Sequence, residues 1–341
     1  MKIQGFPSPG AGLRLHLNEN TGGCSPLVLE AIRGLSAADI AAYPDYRSAV
    51  LACAAHLAVD PDWVLLTNGL DEGLLMMALG RLGRDKSPGA EAIVPVPAFE
   101  PYFAAATAVG AVTVRVPPLD GFGFPLRATL DAISPRTRLV YLNTPNNPTG
   151  QTIDRDAIRA VAAAAPEATV LVDEAYVEFA GTSFLEDLPR YRNAVVGRTF
   201  SKAYGLAGMR IGCLVAHPDT LEPIRAVTPV LNLNVVAVTA MQAALRDRDF
   251  LPRYAADVRE SKRRLYAACA RLRLEYWESA ANFVLVRAGA RSPDVVTALA
   301  ARGVHVRDRS RDPVTAGCVR ITAGIVAHTD SAIAALEEIF A

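Results

Sequence analysis

Apolar and polar positions follow two periods along this chain. Between about 60 and 215, short runs of aliphatic and branched residues recur at 63–66, 92–96, 112–116, 138–142, 169–172, 194–196 and 211–215. Each is bounded by Gly, Pro, Asn or Asp, which is the signature of a strand. Longer stretches with helical spacing lie between them, over 47–57, 73–82, a segment ending near 109, and 154–165. Ser25 and Pro26 read as the N-cap and first-turn proline of a helix over 27–34. Beyond 215, the segments 235–245, 253–274, 292–302 and 330–340 read as helices, and 281–286 and 318–322 as strands. Residues 1–22 read as loop, with a short alternating run at 13–17. Strands that take turns with helices, and polar residues gathered at strand ends, predict an α/β fold. Its large domain has a mostly parallel sheet flanked by helices, and a smaller α+β domain follows. The expected division is an arm and part of the small domain over 1–35, the large domain over 36–240 and the small domain over 241–341.

Composition narrows the function. The 341 residues are 51% hydrophobic and 21% charged, enough for one large core with a smaller satellite. The formal net charge is zero, so the chain has no built-in attraction for nucleic acid or an anionic membrane. Five scattered cysteines without a Cys-x-x-Cys read as reduced thiols of a cytoplasmic protein, and with no close histidine pair they suggest no metal site. Residues 1–5 lack the apolar core of a signal peptide, and no apolar run is long enough to span a bilayer.

Candidate chemistry centres on Lys202. The chain has four lysines, Lys2, Lys86, Lys202 and Lys262, and carries its other positive charge on arginine. Lys202 sits in Thr199-Phe200-Ser201-Lys202-Ala203-Tyr204-Gly205, with Arg210 eight positions on. Two readings stay open: a surface lysine beside a tight turn, or a partly buried amine that loses its proton and attacks a carbonyl, as arginine cannot. The second is Schiff-base chemistry, the usual anchor of pyridoxal phosphate. Asp173 at a strand end is either a helix cap or a partner for a ring nitrogen. Tyr176 reads as packing or as a ring-oxygen ligand, Asn147 as a turn former or a ligand, and Phe99 as core or as a ring-stacking face. Arg210, Thr199 and the turn at Leu70-Asp71 can hold a phosphate. The glycines over 205–212 do not fit a dinucleotide fingerprint.

The motifs Asn146-Asn147-Pro148-Thr149-Gly150, Val172-Asp173-Glu174-Ala175-Tyr176 and Thr199-Phe200-Ser201-Lys202 with Arg210 resemble fold-type I pyridoxal-phosphate aminotransferases over nearly the whole chain. Leu17-Asn18-Glu19-Asn20, Tyr43-Pro44-Asp45, Val306-Arg307-Asp308 and Gly317-Cys318-Val319-Arg320-Ile321-Thr322 resemble the histidinol-phosphate subgroup in particular. The resemblance implies that Lys202 anchors the cofactor and shuttles the substrate α-proton, and that Asp173 pairs with the ring nitrogen. It implies that Tyr176 and Asn147 bond the ring oxygen, that Phe99 stacks on the ring, and that Leu70, Asp71, Thr199, Ser201 and Arg210 hold the phosphate. Tyr43 would reach that phosphate from a second subunit, making a homodimer with a shared site. Asn20, Asn147, Arg307 and Arg320 would bind substrate, Arg320 at the α-carboxylate and Arg307 at a distal phosphate. The implied reaction is ping-pong amino transfer between histidinol phosphate and 2-oxoglutarate. The alternatives are transfer from an aromatic or specialised amino acid, a threonine-phosphate-type decarboxylase, and a non-catalytic cofactor-binding module. The chain departs from the subgroup at Gly22 and Val230, where pocket tyrosines are usual.

Overall fold

A computed structural model describes residues 12–83 and 89–340. Lys2, Lys86 and residues 1–11 of the loop expected at the start lie outside the described residues. The strands are β1 (Leu13–Leu15), β2 (Val64–Thr67), β3 (Glu91–Pro95), β4 (Val112–Val116), β5 (Thr137–Asn143), β6 (Thr169–Asp173), β7 (Ala194–Thr199), β8 (Gly212–Val215), β9 (Glu275–Trp277), β10 (Phe283–Arg287), β11 (Val304–Asp308) and β12 (Cys318–Thr322). They form two sheets.

The larger sheet runs β2-β8-β7-β6-β5-β3-β4. Pairing is parallel from β7 through β4, and β8 is antiparallel to both its neighbours. Successive side chains of a strand face opposite sides of the sheet. Val140, Leu142, Val170, Val172 and Val196 therefore pack on one face with Val161, Ala240 and Met241. Leu139, Tyr141, Leu171 and Val195 pack on the other with Leu74, Met77 and Tyr102. Both faces are covered by helix, which is why β5 to β7 read as unbroken apolar runs rather than alternating ones.

The smaller sheet runs β1-β11-β12-β10-β9. Its apolar face meets the helices Phe250–Arg271, Ser292–Ala301 and Val326–Phe340 through Leu265, Leu299 and Leu336. The N-terminal segment 1–35, expected as an arm and part of the small domain, reaches both sheets. The run at 13–17 supplies β1, which pairs with β11. The helix Pro26–Arg33 instead joins the large core through Val28, against the helix Val235–Arg246.

Other differences have local causes. The helix expected from 73 starts at Leu70, because Gly69 at φ 76° turns the chain sharply enough to begin it there. After Met77 it passes into a wider helical turn over Ala78–Gly83. There Gly80 lies so close to Pro223 that an added Cβ would sit 2.6 Å from its carbonyl oxygen. The helices Ala37–Ala41 and Leu126–Asp131 were not anticipated, since neither is long enough to show a period. Pro218–Arg225 carries an internal proline, a residue that argues against helix in sequence. No helix among the described residues is long and apolar enough to cross a membrane.

Candidate active site

The carboxyl ends of β5, β6 and β7 lie side by side, with Asn143 opposite Asp173 and Asp173 opposite Gly197. Above them, a cleft of about 650 Å³ opens between the two sheets. Its floor carries Lys202, in the turn after β7. The Lys202 Nζ donates to the Leu17 carbonyl at 2.8 Å and stands 6.0 Å from the Tyr176 ring centre. Burial, reinforced by Arg320, lowers its pKa to about 8. Lys202 is thus partly buried in the cleft rather than a surface lysine beside a turn.

Asp173 faces the same space. Its Oδ2 accepts from the Tyr102 hydroxyl at 2.5 Å and its Oδ1 from the Ala175 N–H at 3.0 Å. Burial raises its pKa to about 6, against the Tyr102 hydrogen bond, which lowers it. The Tyr176 hydroxyl accepts from Asn18 Nδ2 at 3.0 Å. The Asn147 N–H donates to Asn143 Oδ1 at 2.7 Å, and the Asn147 side-chain oxygen accepts from Arg320. Phe99, half-buried, forms part of the wall beside Tyr102.

At one end of the cleft the helix Leu70–Met77 begins without a side-chain cap. The first N–H groups of such a helix are open to an anion. Thr199 and Ser201 lie buried on the cleft wall, and Arg210 donates to Asp71 Oδ2 at 2.9 Å. Gly212 sits where only a hydrogen fits: an added Cβ would lie 2.9 Å from the Leu70 nitrogen and 2.8 Å from the Arg198 oxygen.

The opposite wall comes from the smaller sheet. Arg320 on β12 is buried, donates to the His16 carbonyl at 2.7 Å and leaves Nε with no partner. No carboxylate among the described residues pairs with it, and burial lowers its pKa to about 10. Arg307 on β11 is directly opposite Arg320 in register and also lines the cleft.

Two expected site residues lie elsewhere. Asn20 is buried off the cleft, its amide spent on the Ala203 carbonyl at 2.9 Å and the Gly22 N–H at 2.9 Å, so it braces the lysine turn instead. Tyr43 is 77% exposed and does not line this cleft. Four lining or supporting residues escaped the sequence reading: Asn18, Glu100, Tyr102 and Arg309. Asn18 stood inside a quoted motif, and Arg309 shares the two-residue spacing of Arg307; for Glu100 and Tyr102 no sequence signal marked a role.

The sequence model for aminotransferase class I and II matches residues 11–336. The chain belongs to that family. It is 35% identical to the histidinol-phosphate aminotransferase of Anoxybacillus flavithermus, across 95% of this chain and 87% of that protein. It is 40% identical to histidinol-phosphate aminotransferase 2 of Ralstonia nicotianae, across 89% of this chain and 82% of the relative. The crystal structure of histidinol-phosphate aminotransferase from Sinorhizobium meliloti in complex with pyridoxal-5'-phosphate matches with a TM-score of 0.89 at 29% identity, covering 97% of this chain and 91% of that one. This aminotransferase thus shares the fold of the Sinorhizobium meliloti enzyme over nearly its whole length.

Proposed function

We propose that this enzyme moves an amino group from L-histidinol phosphate to 2-oxoglutarate in a ping-pong exchange, as a homodimer. Its cofactor is pyridoxal 5'-phosphate, and the strand-end residues fit that group. The uncapped N–H groups at Leu70 and Asp71, with Thr199, Ser201 and Arg210, would hold the phosphate, and the bare Gly212 lets the helix start pack close against β8. Asp173 would face the ring nitrogen, Tyr176 and Asn147 the ring oxygen, and Phe99 the ring face. When bound, pyridoxal phosphate supplies an electrophilic carbon for amines and a ring that takes up the electron pair left when the substrate Cα–H bond breaks.

The protein's own groups do the rest. With a pKa of about 8, roughly one Lys202 amine in ten is neutral at pH 7, against about one in three thousand for an ordinary lysine. The neutral Nζ is both the nucleophile and the base that takes the substrate α-proton. Asp173 remains mostly ionised at neutral pH and holds a positive ring nitrogen beside it. Arg320 can grip a carboxylate with two parallel N–H groups, and Arg307 is placed for a second anion. The observation that carries this reading is one cleft with a deprotonatable lysine on its floor and a buried, carboxylate-free arginine on its wall. The exposure of Tyr43 and Val230 supports a second subunit completing the site.

The test is spectroscopic. Holoenzyme is mixed with L-histidinol phosphate, phenylalanine or glutamate, and the cofactor absorbance is followed. L-Histidinol phosphate should convert the cofactor to its amine form at low concentration, and 2-oxoglutarate should restore it. Reaction with phenylalanine but not with L-histidinol phosphate would overturn the donor assignment.

A further inference from the structure

An ion pair crosses the mouth of the cleft. Arg309 Nη1 lies 2.5 Å from Glu100 Oε1. Glu100 opens the helix Glu100–Ala108, which packs with the larger sheet, whereas Arg309 directly follows β11 of the smaller one. The contact therefore joins the two walls.

Its two ends differ. The Arg309 side chain is 5% exposed and that of Glu100 58%. The Arg309 backbone is fixed on both sides: its N–H donates to the Cys318 carbonyl at 3.0 Å, and its carbonyl accepts from Thr315 Oγ1 at 2.9 Å. Its Nε is buried without a partner, and the Asp312 carboxylate lies 3.9 Å from its Nη2. The arginine is anchored and under-satisfied, and the carboxylate that meets it is free to swing into water. A half-exposed pair of this kind adds little stability, so separating it costs little.

Positive charge gathers near the pair. Arg307, Arg309 and Arg320 all line the cleft, and Arg307 and Arg320 are cross-strand neighbours. Like charges placed so close favour a guest that brings negative charge. Glu100 occupies the place such a guest's distal anion would take.

We propose that Glu100 is a displaceable carboxylate that holds Arg309 until the distal anion of a substrate replaces it, which makes Glu100 and Arg309 specificity residues for substrates with a negative group away from the reacting carbon. The inference rests on the aminotransferase reading of the cleft and adds a selection rule to it: a distal carboxylate or phosphate opens the pair, and an apolar side chain leaves it closed. Both partners of a ping-pong exchange would pass the same gate.

The experiment uses holoenzyme and unreactive ligands, read by the shift they cause in cofactor absorbance. Glutarate carries two carboxylates, valerate one at equal chain length, and 3-phosphonopropionate a carboxylate and a phosphonate. Glu100→Gln removes the competing charge at an exposed position. It should tighten glutarate or 3-phosphonopropionate about threefold while leaving valerate unchanged. The ligand with the larger gain names the anion the gate admits. Arg309→Met should weaken the same ligand by about tenfold or more and leave valerate alone. Equal shifts for dianions and valerate, or none in Glu100→Gln, would overturn the proposal. Failure of the wild-type enzyme to undergo a half-reaction with any amino acid would overturn the aminotransferase reading, and the gate with it.

Discussion

The two walls of the cleft treat charge in opposite ways. On the wall built by β5, β6 and β7, polar groups are matched within the protein: Asp173 with Tyr102 and the Ala175 N–H, the Asn147 N–H with Asn143, and buried Glu174 with Arg198 at 2.9 Å. On the wall built by β11 and β12, Arg307, Arg309 and Arg320 line the cleft, and Glu100 reaches across it to Arg309. A matched wall is rigid and suits a guest that stays. A wall rich in arginine suits anions that enter and leave within each cycle.

The largest effect should come from the floor between them. Lys202→Ala removes the nucleophile and the base together. The rate of the amino-acid half-reaction should fall by at least about 10⁴-fold, and the absorbance band of the lysine-linked cofactor should disappear. A variant that keeps more than a hundredth of the rate would remove Lys202 from the reaction.

Arg320→Met tests the charged wall. Loss of a buried partner for an anion costs about 2–4 kcal/mol, so the half-reaction with 2-oxoglutarate should slow roughly 30- to 1000-fold in kcat/KM. L-Histidinol phosphate has no α-carboxylate, so its half-reaction should suffer less. Equal losses in both would mean that Arg320 acts by holding Asn147, which it also contacts.

The matched wall carries a hidden cost, and pH exposes it. Burial lifts the Asp173 pKa from 3.8 to about 6. Within that window the folded apoprotein keeps a proton that the unfolded chain has released. Stability therefore falls as pH rises from about 4 to 6 and stays low above it, by roughly 3 kcal/mol at most for a shift of about two pKa units. Asp173→Asn cannot ionise. Its apoprotein should be more stable than wild type to urea at pH 7, with the gap closing near pH 4. Bound cofactor, which brings a positive ring nitrogen, should reverse the order at neutral pH. A gap independent of pH would place the effect in packing rather than in the buried charge.

Much of the matched wall was legible in the sequence, because its residues come in continuous motifs at strand ends. Asp173 and Tyr176 flank one such end, and Thr199, Ser201 and Lys202 another. Once strands and turns are placed, the parallel sheet brings them together. The other wall was read only in part. Arg309 meets a residue 209 positions away, and Tyr102 meets Asp173 across 71. No local pattern encodes such distances. The choice of Asn20 failed for a different reason. Asn18 takes a left-handed backbone at φ 57°, which breaks the alternation that would put 18 and 20 on one side. Asn18 then reaches Tyr176, and Asn20 turns to the lysine loop. A backbone reversal at a non-glycine residue has no clear mark in sequence.

A smaller effect is expected at the phosphate end of the matched wall. Gly212→Ala puts a methyl group 2.9 Å from the Leu70 nitrogen, inside ordinary contact distance and on one of the N–H groups assigned to the cofactor phosphate. The neighbours at that point are backbone atoms of Leu70, Gly69 and Arg198, which cannot move aside as a side-chain tip would. The helix start must therefore shift by some tenths of an ångström, enough to lengthen a charge-assisted hydrogen bond but not to remove Arg210 from the site. Cofactor binding should weaken about tenfold, read as its dissociation constant by fluorescence titration of apoprotein, because one such bond contributes about 1.5 kcal/mol. The dissociation constant of glutarate for the saturated holoenzyme should not change, since that ligand would meet the arginine wall. A loss of glutarate binding in this variant would mean that the two walls are coupled through the cleft, and that matched and unmatched charge are parts of one device.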